Sequence, residues 1–462
     1  MSQEHIIQFR DRLNEISPSF CAAKWKQVTM HLQTGHTHSC HHPRTHKVPL
    51  LELENNPSAL HNTNYKKLQR KDMLDGVRPE ECDYCWRIED SSPDAISDRT
   101  YKSKEPWAAP YIDDIIFKPW NDDVIPSYVE VSFSSVCNFK CSYCSPQVSS
   151  KWMEEIEKSG PYPTSTNFGN LGWLKQTNAM PIPHKDENPY VDAFWKWWPE
   201  MYTSLEHFRI TGGEPLLTKD TFKVLDYVIA NPNPNLHLSI NSNMCPPDAL
   251  LDKFIEQIKI VTNENKVKQF KIFTSCDAHG KQAEYIRNGL DYNKWLSNIR
   301  RVLDEVPGCT FTVMSTYNAL SIFSHEKLAK DILDIKLEYS NKLTKHSPIL
   351  IDIPYLRYPE HQAIFILPKN MLLDNMSKEI EFMQANVEDT HLSPFMGFFQ
   401  FEVDKMKRLY DLVLNIKETN EITIQQKDFI KFVNEHDFRR GTNFLDIFPE
   451  LKFFYQHIKQ SI

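Results

Sequence analysis

The sequence lacks any run of roughly 18 or more consecutive apolar residues, so it offers no candidate for a membrane-spanning helix. Glycine is scarce, with 12 residues against 29 prolines, which favours ordered loops over flexible linkers. The N-terminal stretch MSQEHIIQFRDRLNE is charged throughout and lacks the apolar segment of a secretory signal peptide. We therefore expect a cytoplasmic protein without a membrane span.

Charge and length limit the classes of partner and the number of domains. The formal net charge of −8 gives no broad basic surface for a phosphate backbone, so nucleic acid is not suggested as a partner. With 462 residues, of which 40% are hydrophobic and 25% charged, the chain has the composition of a globular protein and the length of two or three domains.

Ten cysteines fall into three sets, and in a cytoplasmic protein closely spaced cysteines are more often metal ligands than disulfides. The tightest set is the segment CNFKCSYC, in which Cys137, Cys141 and Cys144 lie within eight residues. Three thiolates so close together can each ligate a different iron of one cubane cluster, which leaves the fourth iron without a protein ligand. An open coordination position is where a cofactor or substrate binds. A zinc site completed by a distant fourth ligand is the alternative.

The segment before these cysteines favours a catalytic position for them. Residues 128–133 (YVEVSF) place Val129, Val131 and Phe133 on one face, as in a half-buried strand. The cysteine loop therefore begins just past the end of a strand, which in β/α barrels is the end that carries the active site.

The CxxxCxxC spacing after a strand, with an aromatic residue before the third cysteine, resembles the radical S-adenosylmethionine (SAM) superfamily. The resemblance implies that the three cysteines ligate a [4Fe–4S] cluster, with SAM chelating the fourth iron and Tyr143 beside the adenine. It also implies an enzyme of oxidoreductase or transferase type that receives single electrons from an external reductant of the flavodoxin or ferredoxin type. Reductive cleavage of SAM then gives a 5′-deoxyadenosyl radical, which removes hydrogen from a substrate.

A second motif follows the next predicted strand. Residues 207–211 (HFRIT) indicate a strand, and the sequence GGEP comes directly after it. Paired glycines at a strand exit let the backbone approach a ligand closely. The motif resembles the GGEP segment with which radical SAM enzymes contact the methionyl amine of SAM. The residues assigned to this contact are Gly212, Gly213, Glu214 and Pro215.

Strands and helices continue to alternate beyond this motif, which indicates a parallel sheet with right-handed crossovers. Six strands are predicted, at residues 128–133, 207–211, 236–240, 269–275, 310–315 and 349–353. Six units resemble the partial (β/α)6 barrel of the superfamily, assigned here to residues 126–355. The aromatic and proline-rich stretch 150–200 is either a lid that keeps water from the radical or a helical decoration of the barrel.

Two further strand exits resemble SAM-binding segments of the superfamily. Asn241, Ser242 and Asn243 stand where the family places a polar residue that binds the ribose. The segment TSCDAHG, followed by an arginine, resembles the SxDG…R segment of peptide-modifying members, in some of which the arginine pairs with the SAM carboxylate. The alternative for this arginine is a position on the surface of a helix. The residues assigned to this segment are Ser275, Asp277 and Arg287.

The first quarter of the chain carries four cysteines in a different pattern. They form a C-x13-G-x4-C segment and a later CxxC pair, which together resemble the twitch domain, a short relative of the SPASM domain that binds auxiliary clusters. In the family such a domain usually follows the barrel, whereas here it precedes it. The resemblance assigns residues 1–125 to a twitch-like domain with one auxiliary [4Fe–4S] cluster, and zinc is the competing metal. The assigned ligands are Cys21, Cys40, Cys82 and Cys85.

Other conspicuous residues are assigned no chemistry. Four histidines crowd Cys40, and most of them are expected to be solvated loop residues. Residues 356–462 are predicted to form a helical C-terminal extension, in which Arg439 and Arg440 are expected to be a solvated pair or to make interdomain contacts. Their segment, DFRRGTNFLDIFP, is distinctive and rich in turn residues.

Three single cysteines remain downstream. Cys245 and Cys276 lie near predicted strand exits, where a hydrogen-atom donor or a metal ligand would sit. A role as small buried apolar side chains is favoured for them and for Cys309.

The sequence thus predicts a radical SAM enzyme whose substrate it does not identify. A peptide or protein side chain is favoured, because twitch and SPASM relatives often modify peptides. The alternatives are a radical SAM enzyme that acts on a small molecule or RNA, and a non-catalytic iron–sulfur or zinc protein with a regulatory role.

Overall fold

A computed structural model describes residues 3–339, 347–388, 397–416 and 420–460 of the chain. The chain divides into two compact units. Unit 1 comprises Met1–Ser134, Asn178–Gly212 and Asn233–Ser239. Unit 2 comprises Ser135–Thr177, Gly213–Pro232 and Ile240–Ile462.

Eleven strands form within the described part of the chain. They are β1 (Gln27–His31), β2 (His36–His38), β3 (His46–Lys47), β4 (Tyr128–Ser132), β5 (Lys140–Cys141), β6 (His207–Thr211), β7 (Asn233–Ser242), β8 (Val267–Ser275), β9 (Arg287–Asn288), β10 (Cys309–Met314) and β11 (Ile349–Asp352).

Helices connect and flank these strands. In the first half of the chain they are α1 (Gln3–Ile16), α2 (Ala23–Lys26), α3 (Leu50–Asn55), α4 (Ala59–Asn62), α5 (Asn64–Leu74), α6 (Asp83–Glu89), α7 (Asp98–Lys104), α8 (Ile112–Phe117), α9 (Ser150–Ser159), α10 (Leu171–Gln176), α11 (Pro189–Tyr202) and α12 (Lys219–Ala230). In the second half they are α13 (Asp248–Asn263), α14 (Gly280–Ile286), α15 (Tyr292–Glu305), α16 (His325–Tyr339), α17 (Lys369–Ala385), α18 (Gln400–Leu414), α19 (Asn420–Arg440), α20 (Phe444–Ile447) and α21 (Lys452–Lys459).

Unit 1 contains a sheet in the order β3-β2-β1-β4-β6-β7, of which β7 contributes residues 233–239. Strand β1 runs parallel to β4, and β4 runs parallel to β6, whereas β2 and β3 are added antiparallel. Burial alternates along β4 and β6, so that Val129, Val131, Phe208 and Ile210 are fully buried on one face. On the other face, Glu130, His207, Arg209 and Thr211 are partly buried, whereas Ser132 is buried.

Unit 2 contains the parallel strands β8, β10 and β11, paired in register, and residues 240–242 of β7. Strands β5 and β9 form a separate antiparallel pair. Helix α15 shows why the connecting helices form: the Asp291 side chain accepts the Lys294 backbone N–H and caps the first turn. Trp295, Ile299 and Val302 then recur at helical spacing on its buried face.

These elements confirm a mixed α/β fold with a mostly parallel sheet. A strand occurs at each of the six predicted positions, with bounds that differ by a few residues at most. Curvature of the strands into a partial (β/α)6 barrel stays a prediction, as do the three predicted domain segments. None of the helices in the described residues has both the length and the apolar character needed to span a bilayer.

Strand β1 was not predicted, although it pairs with the strand that leads into the cysteine loop. Its sequence, QVTMH, does alternate, since Val28 and Met30 are fully buried. The signal is weak because the strand directly follows a four-residue helix and leads into a histidine-rich segment.

One ion pair in unit 2 is completely buried. The Lys336 ammonium of α16 donates to the Glu402 carboxylate of α18 at 2.7 Å, and both side chains are 0% exposed. The same carboxylate accepts the backbone N–H groups of Ile351 and Phe399, at 2.7 and 2.8 Å. Glu402 therefore satisfies three buried donors at once.

We expect Glu402→Ala to lower the free energy of unfolding by about 3–5 kcal/mol, because it leaves a buried ammonium unpaired. The matched control is Glu326→Ala, which breaks an exposed pair with Lys330 on the same α16 helix and should cost less than about 0.5 kcal/mol. Urea denaturation followed by circular dichroism measures both changes. Equal losses in the two variants would contradict this account of the ion pair.

Candidate metal centres

The cysteine loop follows β4 and is tied down at several points. Residues Lys140 and Cys141 form β5, which pairs antiparallel with Asn288 and Arg287 of β9. The Cys137 thiol accepts the Phe139 backbone N–H at 3.4 Å, which turns the chain around the first sulfur. All three cysteines of the loop are partly exposed.

The three thiols are close enough to influence one another electrostatically. Burial, with a smaller contribution from the neighbouring Cys141, raises the pKa of Cys144 to about 12. Burial likewise raises the pKa of Cys137, with contributions from the other two thiols. Ligation of one metal group by Cys137, Cys141 and Cys144 stays a prediction, and binding of a metal there must displace thiol protons.

The GGEP segment starts at the end of β6, and its second half contacts the start of the cysteine loop. The backbone N–H of Glu214 donates to the Val136 carbonyl at 2.7 Å. A Cβ atom added to Gly213 would lie 2.7 Å from the Val136 carbonyl carbon and would overlap the carbonyl oxygen. Gly212 has φ +126°, which L-residues rarely adopt. Glycine is therefore required at both positions, and Pro215 opens a short 3-10 helix.

The Glu214 side chain is buried and connects the residues that follow β6 to the end of β7. Its carboxylate accepts the Leu216 and Asn243 backbone N–H groups at 3.0 and 2.7 Å, and the Ser242 hydroxyl at 2.8 Å. Burial raises the pKa of Glu214 to about 7, against the effect of these hydrogen bonds. Ser242 is thus directed at Glu214, whereas Asn241 is the more exposed residue of this predicted ribose segment.

Asp277 is fully buried and joins the cysteine loop to the end of β8. The Tyr143 hydroxyl donates to Asp277 at 2.8 Å, the Thr316 backbone N–H donates at 2.8 Å, and Arg287 donates at 2.9 Å. Arg287 also donates to the Tyr143 oxygen at 2.5 Å, and its Nη1 lies 3.6 Å from the Cys141 sulfur.

Arg287 is only 7% exposed, so the alternative of a surface position is wrong. Its neighbour in the predicted segment, Ser275, ends β8 and is partly exposed.

The four N-terminal cysteines converge although they lie far apart in sequence. Cys21 precedes α2, Cys40 follows β2, and the CxxC pair is at Cys82 and Cys85, at the start of α6. All four line one cavity with about 350 Å³ of unfilled space, open solvent included. Burial raises the pKa of each thiol, that of Cys85 to about 12, and neighbouring thiols contribute to three of these shifts.

Positive side chains surround this cavity. The Lys24 ammonium lies 3.6 Å from the Cys82 sulfur and also pairs with Glu81, and both charged side chains are almost fully buried. Arg99 and Lys102 line the same cavity. Cations beside thiolates stabilise their negative charge, so the site is suited to a thiolate-bound metal group.

Two of the four histidines around Cys40 are buried. His36 and His38 are buried, with 9% and 8% exposure, and His38 hydrogen-bonds the Cys40 carbonyl. His42 lines the cysteine cavity, hydrogen-bonds Asp98 at 2.5 Å and stacks on a tyrosine ring. The expectation of solvated loop residues is therefore wrong for His36 and His38, whereas His42 is partly exposed and His41 is exposed.

Two further observations concern the cysteines: the burial of the three single thiols and the type of donor atom in the two candidate sets. Cys245, Cys276 and Cys309 are buried, as favoured from the sequence, and all ten cysteines are free thiols. Among the described residues, no three His, Cys, Asp or Glu side chains are placed to hold a metal ion as they stand. The fit therefore rests on donor type, because sets of three and four thiols suit iron–sulfur clusters or zinc.

Sequence reasoning missed several residues that contact the cysteine loop. Trp152, fully buried, donates its indole N–H to the Cys141 carbonyl at 2.8 Å. The Arg440 side chain is 1% exposed and donates to the Lys140 carbonyl at 2.6 Å. Of the two alternatives for the arginine pair, the solvated one is therefore wrong, and the contact of Arg440 joins the predicted C-terminal extension to the segment predicted as the barrel. The only signal in the sequence was the distinctive segment around Arg440, since tertiary contacts over 300 positions leave no periodic pattern.

Comparison with known proteins gives one weak match. No family model matches the chain. A GTP 3′,8-cyclase from Nautilia profundicola is 27% identical over 116 residues, which are 25% of this chain. The chain thus spans only about a quarter, 27%, of that relative's length. Because GTP 3′,8-cyclase is a radical SAM enzyme, the similarity supports the radical SAM superfamily, with its [4Fe–4S] cluster and SAM, and nothing finer.

We expect Gly213→Ala to destabilise the protein by about 1–3 kcal/mol, because its methyl group overlaps the Val136 carbonyl. The matched control is Gly308→Ala, whose Cβ would make an ordinary 3.5 Å contact with Thr262. The free energy of unfolding of both variants, measured in urea, tests this difference. Equal stability of the two variants would show that the backbone at Gly213 does not lie in close contact with the Val136 carbonyl.

Proposed function

We propose that the chain is a radical SAM enzyme in which Cys137, Cys141 and Cys144 hold the catalytic [4Fe–4S] cluster. The observation that carries the proposal is the seating of the GGEP backbone on the cysteine loop, through the Glu214 N–H and the Val136 carbonyl. Two motifs 68 residues apart in sequence, from Cys144 to Gly212, thereby support one site. The weak similarity to a radical SAM enzyme supports the same class.

The chain's own residues would bind and orient SAM. The cluster, held by Cys137, Cys141 and Cys144, would supply the electron for reductive cleavage of SAM. Gly212 and Gly213 offer the methionyl amine a backbone without side chains, and Asn241 offers the ribose a partly exposed amide. Arg287, held by Asp277 beside Cys141, places a positive charge where the SAM carboxylate would bind.

The N-terminal cysteines are proposed to hold one auxiliary [4Fe–4S] cluster in a twitch-like domain. Four thiols around one cavity can saturate such a cluster, and Lys24 and Arg99 offset its negative charge. Zinc is the competing metal, because four thiolates also form a closed zinc site. The cluster would accept an electron from the product radical or anchor the substrate.

The sheet face of unit 1 offers charged and hydrogen-bonding side chains for a polar part of the substrate. Glu130 and Arg209 are paired across β4 and β6, with 3.9 Å between their nearest charged atoms. The nearby hydroxyls of Thr29 and Ser132 are buried and have no hydrogen-bond partner among the described residues. A group that both donates and accepts hydrogen bonds, such as a peptide amide, would satisfy them, which supports a peptide or protein substrate.

A small-molecule substrate is the second candidate, because the similar protein from Nautilia profundicola is named for a reaction of GTP. A non-catalytic iron–sulfur or zinc protein is the third, and it would bind metal without cleaving SAM. For either enzyme we propose a cytoplasmic location and an external flavodoxin or ferredoxin as the electron source.

We expect Cys141→Ala to abolish 5′-deoxyadenosine formation, because the cluster loses one of its three protein ligands. Reconstituted protein is incubated anaerobically with SAM and dithionite, and 5′-deoxyadenosine is quantified by liquid chromatography. Cys309→Ala, a change at a fully buried thiol on β10, is the control and should retain the activity. Dithionite-dependent formation that persists in Cys141→Ala would overturn the proposal.

We expect reconstituted wild-type protein to hold about eight irons and the Cys82→Ala/Cys85→Ala variant about four, because the second cluster loses two ligands. Iron and zinc are measured by plasma mass spectrometry after anaerobic desalting. A Cys245→Ala/Cys276→Ala variant is the control and should keep about eight irons. A wild-type protein with about four irons and one zinc would assign the N-terminal cysteines to zinc instead.

A further inference from the structure

The segment DFRRG, residues 437–441, forms a fixed end of helix α19. The Asp437 carboxylate accepts the Thr442 hydroxyl and the Phe444 backbone N–H, both at 2.7 Å, and the Tyr285 hydroxyl at 3.0 Å. Gly441, with φ +65°, lets the chain leave the helix in the left-handed region. The two arginines of this segment are therefore presented from a rigid helix end.

Arg440 is buried against the cysteine loop. Its Nη1 donates to the Lys140 carbonyl at 2.6 Å, and its Nε and Nη2 donate to the two carboxylate oxygens of Glu155 at 3.2 and 3.3 Å. Glu155 also accepts the Lys140 ammonium at 2.7 Å and the Tyr162 hydroxyl at 2.8 Å. Burial opposes ionisation of Glu155, but Arg440 and the donated hydrogen bonds lower its pKa to about 2, so it stays charged.

Three consecutive carbonyls of the loop are held by buried side chains. Arg440 binds the carbonyl of Lys140, as above, and Trp152 donates to the carbonyl of Cys141 at 2.8 Å. Gln362, which is 0% exposed, donates to the carbonyl of Ser142 at 3.1 Å. The Arg440 guanidinium also lies 5.1 Å from the Trp152 ring centre, so two of the three contacts support each other.

We propose that Arg440 is a positioning residue for the catalytic cluster, which fixes the backbone between Cys137 and Cys144 and stabilises negative charge on Cys141 and Cys144. This inference rests on the proposed function of that loop. The Arg440 guanidinium is buried and binds the carbonyl of the residue directly before Cys141, so its positive charge lies next to the cysteine loop. Since reduction adds negative charge to a cluster, a buried cation beside its ligands should make reduction easier.

The adjacent arginine provides a matched control. Arg439 is 4% exposed, and it donates to the carbonyls of Ser159, Gly160 and Pro161, at 2.9 to 3.3 Å. Its guanidinium lies 4.2 Å from the Tyr162 ring centre. It shares the helix end and the burial of Arg440, but these contacts all lie outside the cysteine loop.

The first measurement uses the metal-free, full-length protein. Hydrogen–deuterium exchange followed by mass spectrometry should show a loss of protection in residues 138–145 for Arg440→Gln. Arg439→Gln should instead lose protection around residues 159–161 and leave the loop unchanged. Equal protection of the loop in wild type and Arg440→Gln would overturn the positioning role, whether or not the protein binds iron.

The second measurement separates the effect of the Arg440 charge from the effect of its hydrogen-bond geometry. In the reconstituted protein, redox titration followed by electron paramagnetic resonance should give a more negative reduction potential for Arg440→Gln than for wild type. Arg440→Lys keeps the charge without the forked contacts, so its potential should lie closer to wild type while the loop exchanges faster. Arg440→Lys also tests the proposal if Arg440→Gln fails to fold.

Unchanged potentials in the variants would overturn the electrostatic role. A wild-type protein without iron–sulfur absorbance would instead overturn the proposed function, and the exchange experiment would still decide the contact between Arg440 and the loop.

Discussion

The candidate site depends on one buried carboxylate, that of Glu214. It accepts three hydrogen bonds, from Leu216, Ser242 and Asn243, while its own backbone N–H binds the Val136 carbonyl. The segments that follow β4, β6 and β7 are thereby fixed to one another within unit 2. A carboxylate that satisfies so many donors is costly to replace, because each donor would be left buried and unpaired.

Asp277 does the same on the other side of the loop, through Tyr143, Thr316 and Arg287. Its contacts explain why the aromatic residue before the third cysteine is a tyrosine, since the Tyr143 hydroxyl donates a hydrogen bond to Asp277 and accepts one from Arg287. Arg287 in turn lies beside the Cys141 sulfur and pairs through its backbone with β5. Buried polar groups thus hold the backbone of the cysteine loop and supply the charges next to its thiols.

Much of this could be predicted from local sequence patterns. Alternation located β4, a short strand pattern located β6, and close spacing identified the cysteine loop, because these signals lie within a few residues of each other. The four N-terminal cysteines lie far apart in sequence and were grouped by their resemblance to a twitch domain. The contacts of Arg440 and Lys24 could not be predicted, since they join residues that are distant in sequence and follow no period. Burial of His36 and His38 was missed for a related reason: histidine-rich loops are usually solvated, whereas these two lie on β2, which is paired with β1 on one side and β3 on the other.

The central claim is that one iron of the cluster at Cys137, Cys141 and Cys144 is free to bind SAM. The most direct test is the electron paramagnetic resonance spectrum of the dithionite-reduced Cys82→Ala/Cys85→Ala variant, recorded with and without SAM. If an iron is open, SAM binds it and the cluster signal shifts. A cluster signal that is identical in the presence and absence of saturating SAM would contradict the account.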